Sequence, residues 1–210
     1  MITMTTLEKL RERMRKPLPG KAAQFKMAHV ARRTDYPAPS HARKAGVLAM
    51  FYPDAREEWQ LALIERVSRS AEDRHGGQIS FPGGGFEEKD GTLLRTALRE
   101  TYEEIGVDTS KVEVLGPLTE LYIPVSNYIV YPFAGILPFT PSFSPQWDEV
   151  ASVVETPLET LLDPATRQVT ELRLTSNIIL KEVPFFNVKG KVIWGATAMM
   201  LSELLELLTE

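Results

Sequence analysis

The stretch GGGFEEKDGTLLRTALRETYEEIGV, Gly83 to Val107, carries the strongest structural signal in the chain. Three glycines precede an acidic turn, and residues 92–105 then predict a helix because apolar residues recur at helical spacing. Gly106 follows, as expected of a glycine that ends a helix. At about 100° per residue, four residues fall within one narrow stripe and predict the core face: Leu94, Leu98, Thr101 and Ile105.

Three carboxylates lie near the end of this predicted helix, at Glu100, Glu103 and Glu104. Like charges one turn apart cost an isolated helix about 0.2–0.5 kcal/mol per pair, and the helix dipole disfavours anions at this end. Two interpretations follow. The three residues are a solvated acidic face, or they bind a hard divalent cation such as Mg²⁺ or Mn²⁺.

The residues around the carboxylates favour the metal site. Arg99 can orient a carboxylate as a bidentate fork. The glycines at 83–85 let backbone carbonyl and N–H groups come close to a bound group. They are not a phosphate loop or a dinucleotide fingerprint, because no Gly-Lys-Ser/Thr follows and the third-glycine spacing fails.

Composition limits the class of protein. The chain has 210 residues, 43% hydrophobic and 25% charged, which predicts one domain with extensions. A net charge of −4 argues against a general nucleic-acid binder. The absence of cysteine excludes disulfides, thiolate nucleophiles and Cys-ligated zinc. Without a long apolar run or a signal-peptide pattern, we expect a cytoplasmic protein with no membrane partner.

Outside the glycine stretch, strands dominate the predicted elements, which favours an α+β fold with a mixed sheet. The predicted strands are 46–52 and 59–65 as a hairpin, 78–81, 112–123, 128–137, 150–155, and 183–187 paired with 191–195. A leucine stripe predicts a C-terminal helix over residues 201–208. A short helix is expected before Pro17, and residues 17–44 predict a linker or surface arm, serving as a brace or dimer contact.

At this point the glycine stretch and helix resemble a known motif. The motif resembles the Nudix box, GX5EX7REUXEEXGU, and reads Gly85-x5-Gly91-x7-Arg99-Glu100-Thr101-Tyr102-Glu103-Glu104-Ile105-Gly106-Val107. Gly91 stands where the family has glutamate, so the carboxylate partner of Arg99 is open. The candidates are Asp90, Glu87 and Glu88.

The residues just before the motif resemble one subfamily. The stretch HGGQISFPGG, His75 to Gly84, is similar to the H-x-G-Q-[IV]-x-F-P-G-G sequence of the coenzyme A pyrophosphatases. The resemblance covers roughly residues 45–208. Residues 66–74 depart from the usual subfamily spacing. Arg66, in this segment, either contacts a phosphate or is part of the solvated surface.

The resemblance implies a Nudix fold, in which a mixed β-sheet is sandwiched between α-helices. The expected division is an N-terminal helix and proline-containing arm at 1–44 and a Nudix domain at 45–210. The implied reaction is metal-dependent hydrolysis of the diphosphate of coenzyme A or acyl-CoA. Its products are adenosine 3′,5′-bisphosphate and 4′-phosphopantetheine or the acyl derivative.

The resemblance also assigns roles to residues. Mg²⁺ or Mn²⁺ is expected on Glu100, Glu103, Glu104 and the carbonyl of Gly85, with Arg99 as the orienting residue. The general base is open among Glu100, Glu103 and Glu149. The expected substrate contacts are Arg69, Arg74, His75, Gln78, Gly83 and Gly84.

Two alternatives remain beside coenzyme A. The first is a Nudix hydrolase of ADP-ribose, dinucleotides or nucleoside triphosphates. The second is a Nudix-fold binding module without turnover, which the departure at Gly91 leaves open. In each case the partner is a small nucleotide-diphosphate molecule rather than a nucleic acid, and a homodimer is a further expectation.

Overall fold

The computed structural model describes residues 4–33, 36–68, 76–174 and 178–209. Its α-helices in these ranges are α1 Met4–Arg13, α2 Gly20–Phe25, α3 Leu93–Ile105, α4 Leu158–Leu162 and α5 Gly195–Thr209. Its strands there are β1 Arg43–Pro53, β2 Trp59–Arg66, β3 Ile79–Ser80, β4 Gly83–Gly85, β5 Glu113–Pro117, β6 Leu121–Ile123, β7 Tyr128–Ile136, β8 Val150–Pro157, β9 Arg167–Arg173, β10 Ile179–Val188 and β11 Lys191–Trp194.

Strand β1 lies at the centre of the larger sheet, and both of its faces are buried. Residues such as Ala49 and Phe51 pack into a core that includes side chains of α1 and α5. The alternate residues Leu48 and Met50 pack into a second core with Ala97 of α3. Successive side chains of a strand point to opposite faces, so the sheet is sandwiched between helices. The predicted α+β sandwich is confirmed.

The larger sheet is mixed. Strand β1 pairs antiparallel with β2 and β4 and parallel with β7. Strand β7 pairs antiparallel with β5 and β6, and β2 pairs antiparallel with β3 and β8. Strands β9, β10 and β11 form a separate antiparallel sheet. The two predicted hairpin pairings are confirmed, with Phe51 opposite Leu61 and Phe186 opposite Ile193.

Several predicted boundaries are wrong. Residues 112–123 form two strands rather than one. Strand β5 ends at Pro117 and β6 begins at Leu121, and between them the N–H and hydroxyl of Thr119 donate to Glu203 of α5. Strands β4 and β9 and helix α4 were not predicted. Three glycines have no side-chain periodicity to signal β4, and β9 is largely exposed, so it lacks an apolar face to signal it.

Helix α3 begins and ends as predicted, but its core face differs. Ala97, Thr101 and Ile105 are buried, whereas Leu94 and Leu98 are only half-buried. The reason is the close approach of the helix backbone to β1 at Gly46, where a Cβ would lie 2.3 Å from the carbonyl oxygen of Leu93. Small side chains therefore face the strand.

The N-terminal residues also contribute to the core. Helix α1 confirms the predicted short helix, with Leu7 and Leu10 buried. The prediction of a linker or surface arm after it is wrong for α2, because Gln24 and the nearby Ala28 are buried. The division of the chain at residue 44 stays a prediction. No helix in the described ranges is long and apolar enough to cross a membrane.

Candidate active site

The candidate site is built where α3 crosses β4. Gly84 of β4 pairs with Gly46 of β1. A Cβ on Gly84 would lie 2.5 Å from the carboxyl carbon of Glu100. The carboxylate of Glu100 therefore occupies the space that a side chain at position 84 would need, and the glycine allows this helix carboxylate to lie against the strand backbone.

The C-terminal end of α3 attaches the loop that carries Glu149. Gly106 ends the helix in the left-handed conformation at φ 71°, and its N–H donates to the carbonyl of Tyr102 at 2.8 Å. The backbone N–H of Gln146 donates to the carbonyl of Glu104 at 2.9 Å. Glu149 follows three residues later, just before β8. These bonds bring Glu149 to the end of the helix that carries the other carboxylates.

Asp90 is the carboxylate partner of Arg99. The Nε and Nη2 atoms of Arg99 donate to the two carboxylate oxygens of Asp90 at 2.7 and 3.0 Å, as a bidentate fork. This pairing holds the pKa of Asp90 well below its usual range and raises the pKa of Arg99. Glu87 lies farther away, with its Oε1 3.7 Å from Nη1 of Arg99. Of the three candidates, Asp90 therefore makes the fork.

The backbone explains how Asp90 replaces the family glutamate. Gly91 has φ +68°, a conformation that side-chain-bearing residues rarely adopt. It ends the short 3₁₀ turn that contains Asp90. Asp90 Oδ2 also accepts from the hydroxyl of Thr96 at 2.8 Å and from the N–H of Glu87 at 3.1 Å. The turn thus holds the carboxylate of Asp90 against α3.

Arg99 joins the remaining groups of the site. Its Nη1 lies 2.7 Å from Glu103 Oε2 and 2.9 Å from Glu100 Oε1. Its Nη2 donates to the carbonyl of Gly85 at 3.2 Å. One guanidinium therefore contacts two of the predicted metal-ligand carboxylates and the backbone carbonyl of Gly85, so its position influences all three.

Glu104 is the buried carboxylate of the site, with only 2% of the residue exposed. The N–H of Gly83 donates to its Oε2 at 2.8 Å, and Nη1 of Arg66 lies 3.3 Å from its Oε1. Burial raises the pKa of Glu104 to about 7, and repulsion from Glu100 and Glu149 acts in the same direction. The hydrogen bond from Gly83 and the charge of Arg66 lower the pKa of Glu104, but they only partly offset the effect of burial.

The pKa of Glu100 is shifted in the same direction as that of Glu104. Burial raises its pKa, Arg99 opposes that shift, and the charges of Glu103 and Glu149 add to it. Glu100, Glu104 and Glu149 are therefore close enough for their charges to interact. The sequence predicted three carboxylates on one helix and proposed Glu149 as a fourth acid, and the structure brings Glu149 within charge-interaction distance of Glu100 and Glu104.

The chemistry of these groups fits a hard divalent cation. Within the described ranges, no three acidic or histidine side chains converge closely enough to hold a metal as they stand, and Glu103 instead pairs with Arg99. The carboxylates of Glu100 and Glu104 are nonetheless close enough for the charge of Glu100 to raise the pKa of Glu104. Divalent cations such as Mg²⁺ prefer carboxylate oxygen ligands, and a cation would relieve this repulsion.

The predicted substrate contacts are only partly visible. Gly83 and Gly84 lie against Glu104 and Glu100. The carbonyl of Gln78 accepts from the N–H of Arg66 at 3.0 Å, which anchors the start of the subfamily-like stretch to β2. Three predicted contacts lie outside the described residues: Arg69, Arg74 and His75.

Sequence reasoning missed one neighbour of the site. The hydroxyl of Tyr128 lies 3.4 Å from the position that a Cβ on Gly85 would take. The guanidinium of Arg43 stacks on the ring of Tyr128 at 4.1 Å from its centroid. These residues start β7 and β1, and only the parallel pairing of the two strands brings them to the glycines. No local sequence pattern signals that pairing.

Comparison with known proteins identifies the family. The family model described as NUDIX domain matches residues 41–174. This chain belongs to the Nudix hydrolase family. Nudix hydrolases act on pyrophosphate bonds and generally need divalent metals, commonly Mg²⁺ or Mn²⁺. The Nudix resemblance and the predicted hydrolase are confirmed, which argues against a binding module without turnover.

Two relatives illustrate the similarity of this Nudix hydrolase to other members. "Uncharacterized Nudix hydrolase NudL" of Photorhabdus laumondii is 35% identical over 130 residues, covering 62% of this chain and 68% of that protein. The protein with the same name in Yersinia pestis is 34% identical over 162 residues, covering 77% of this chain and 78% of its own. Neither name specifies a substrate.

Solved Nudix structures are similar as well. RenU, a Nudix hydrolase from M. smegmatis, superposes with a TM-score of 0.48 at 18% identity, over 58% of this chain and 74% of that one. The NUDIX domain of Shewanella oneidensis NrtR complexed with ADP ribose has a TM-score of 0.45 at 18% identity, over 63% and 83%.

Proposed function

We propose that this Nudix hydrolase cleaves the diphosphate of coenzyme A or its thioesters. The supporting observation is the continuity of the chain from His75 to Gly85. The stretch that resembles the coenzyme A pyrophosphatases runs directly into β4, and β4 lies against Glu100 and Glu104. Residues of the subfamily-like stretch thus adjoin the carboxylates.

We propose Glu100, Glu103 and Glu104, with the carbonyl of Gly85, as the ligands of Mg²⁺ or Mn²⁺. The bound metal supplies charge neutralisation of the diphosphate and lowers the pKa of a water molecule. Arg99 supports this set because it contacts Glu100, Glu103 and the Gly85 carbonyl together. Asp90 holds Arg99 through the bidentate pairing and thereby helps to position the proposed metal ligands.

In the proposed reaction, water attacks one phosphorus atom of the diphosphate. A new P–O bond forms, the bridging P–O bond breaks, and the products are two phosphomonoesters. The proton of the water passes to a carboxylate close by. The candidates are Glu100, Glu103 and Glu149; the first two share Arg99, whereas Glu149 comes from the loop after α3.

Recognition of coenzyme A must use groups remote from the diphosphate, because every candidate substrate contains one. We propose that Gln78, Gly83 and Gly84 contact the substrate, and that Arg69, Arg74 and His75 contribute to binding of its 3′-phosphate. A cytoplasmic location and a homodimer are further parts of the proposal.

Steady-state kinetics with Mn²⁺ tests the substrate. We expect kcat/KM for coenzyme A to exceed that for 3′-dephospho-coenzyme A by at least about tenfold, because one charge-assisted hydrogen bond contributes about 1.5–3 kcal/mol. The excess over ADP-ribose should be larger. Glu104→Gln, assayed in parallel, is the control for contaminating phosphatases. A preference for ADP-ribose would replace this substrate assignment with another Nudix hydrolase activity.

A further inference from the structure

A cavity of about 350 Å³ lies between α2, β6, β7, α5 and residues 36–38. Its size falls within the range of small-molecule sites, which are mainly apolar with a few polar groups. Its wall combines polar and apolar surface and includes the aromatic or apolar side chains of Phe25, Tyr36, Tyr122, Tyr131 and Met199. The charged residues Lys21, Arg32 and Glu120 also line it. None of these residues belongs to the carboxylate site.

Arg32 is the residue in this cavity that favours an anionic ligand. It is half-buried, and its Nη2 donates to the carbonyl of Tyr122 at 2.8 Å. Within the part of the chain that the structure describes, it contacts no carboxylate. Burial lowers the pKa of Arg32. A desolvated cation is costly unless an anion pairs with it, so the cavity is suited to an anionic ligand.

The walls of the cavity are held in place before any ligand binds. Glu203 of α5 is buried and accepts from the N–H of Gly20, at 3.2 Å, and from the side chain of Gln24, at 2.9 Å. It also accepts from the hydroxyl of Thr119 at 2.7 Å. These bonds join α2 to the segment before β6. A preformed cavity lowers the entropic cost of binding.

The strand register connects the cavity to the carboxylates. Tyr131 lies beside Gly46, and Gly46 lies beside Gly84. Neighbouring strands are about 4.8 Å apart, so the backbones of Tyr131 and Gly84 are separated by about 10 Å. Glu100 lies directly against Gly84. One extended molecule can therefore reach from the carboxylates to the cavity.

We propose that this cavity binds the phosphorylated nucleoside end of the substrate, with Arg32 paired to the phosphate that lies outside the cleaved diphosphate. The aromatic side chains pack on the base. The inference rests on the proposed coenzyme A activity, in which that group is the 3′-phosphate. It adds a residue of the N-terminal segment to a recognition role that the sequence assigned to residues 69–75.

The kinetic test is Arg32→Gln, with Arg33→Gln as the matched control. Arg33 is exposed, and its Nε donates to the carbonyl of Ala28 at 3.4 Å. Arg32→Gln should lower kcat/KM for coenzyme A about tenfold or more, mainly through KM, because one charge-assisted hydrogen bond is lost. Its kcat/KM for 3′-dephospho-coenzyme A should remain within about twofold of wild type. Arg33→Gln should change neither. A variant that retains the wild-type preference for coenzyme A overturns the inference and leaves the proposed function standing.

Calorimetric titration separates the inference from the activity. Adenosine 3′,5′-bisphosphate should bind the wild-type protein at least about tenfold more tightly than adenosine 5′-monophosphate, and Arg32→Gln should remove that difference. If coenzyme A is not hydrolysed, the proposed function fails, and this titration alone decides the cavity. Equal affinities of both nucleotides for the wild-type protein overturn the inference about the cavity.

A second variant covers the case in which Arg32→Gln does not fold. Tyr36 is half exposed, at 51%, so Tyr36→Ala removes a ring of the cavity without opening the core. It should weaken both adenosine nucleotides by a similar factor, about tenfold, if the base stacks there. Unchanged affinity for both nucleotides counts against the cavity.

Discussion

Two buried glutamates show how differently this protein uses the same side chain. Glu203 is fully buried, and Gly20, Gln24 and Thr119 all donate hydrogen bonds to its carboxylate. Glu104 is almost as buried, but it has one backbone donor, a longer contact to Arg66, and like charges nearby. A buried carboxylate is stable when donors surround it. Glu203 meets that condition, and Glu104 does not.

The difference separates a structural region from a functional one. Around Glu203, donors from α2 and the segment before β6 converge on one acceptor, which joins the N-terminal helices to the core. Around Glu104, the carboxylates of Glu100 and Glu149 add repulsion that the protein alone leaves partly uncompensated. Such clusters of unfavourably placed acids are typical of catalytic and metal sites. The comparison predicts opposite responses to the same substitution.

The largest effect is expected for Glu104→Gln. The amide removes a proposed ligand charge, and since changes behind metal ligands already cost 10- to 100-fold, kcat should fall more than about 100-fold. The free energy of unfolding should change by less than about 1 kcal/mol, because glutamine can still accept from Gly83. Mn²⁺-dependent turnover and urea denaturation measure the two quantities. Near-wild-type turnover at saturating Mg²⁺ would remove Glu104 from the ligand set.

Glu203→Gln should do the opposite. Its amide nitrogen faces donors and cannot accept their bonds, so the free energy of unfolding should fall by about 2 kcal/mol. The kcat of the folded fraction should stay within about twofold of wild type. Urea denaturation followed by assay below the transition tests both points. Wild-type stability of Glu203→Gln would show that the donors around Glu203 do not stabilise the fold in the way the comparison predicts.

Gly84→Ala sharpens the comparison from the backbone side. The new Cβ would meet the carboxyl of Glu100 at 2.5 Å, and Glu100 would have to leave its place on β4. A side chain moved off its preferred rotamer costs about 0.5–1.5 kcal/mol, so kcat should fall about tenfold with little change in melting temperature. In a Glu100→Ala background the same substitution should have no further effect on turnover. An additive loss there would mean that the glycine serves another purpose.

The smallest effect concerns a carboxylate that is paired and partly exposed. Glu65 Oε2 accepts from Lys191 at 2.6 Å and from Ser152 at 2.8 Å, and these bonds lower the pKa of Glu65. Lys191→Met should cost less than about 1 kcal/mol at pH 7, because the pair is partly solvated. The contribution is complete above the ordinary glutamate pKa and is lost as pH falls through the lowered pKa of the folded state. Urea denaturation of both proteins at pH 7 and pH 3 checks the difference; a loss that persists at pH 3 contradicts this account.

Helix α3 and its carboxylates illustrate what could be predicted from the chain. Apolar spacing and Gly106 correctly predicted a helix over residues 92–105, because both are local properties of the backbone and side chains. The same reasoning overestimated the burial of Leu94 and Leu98. Their exposure depends on how closely α3 approaches β1 at Gly46, and that distance belongs to the packing of two segments far apart in the chain.

The N-terminal segment shows the reverse case. Prolines at 17, 19, 37 and 39 correctly indicated interruptions, yet α2 between them was not predicted. Six residues are too short to show a helical period. Gln24 of this helix is buried because it bonds Glu203 of α5 and the backbone of Thr119, in the segment before β6. Tertiary contacts, rather than propensity, stabilise such short helices.

By itself, the sequence determined the family, the helix that carries Glu100, Glu103 and Glu104, and the order of most strands. Motif, periodicity and helix-ending residues are properties of neighbouring residues. The sequence left three candidates for the partner of Arg99. Only the tertiary structure decided for Asp90, because the left-handed turn at Gly91 points that carboxylate at the guanidinium. It alone brought Glu149 to the other carboxylates and set Arg32 in a cavity. Those relations depend on distances between segments remote in sequence, which the packing of the folded chain determines.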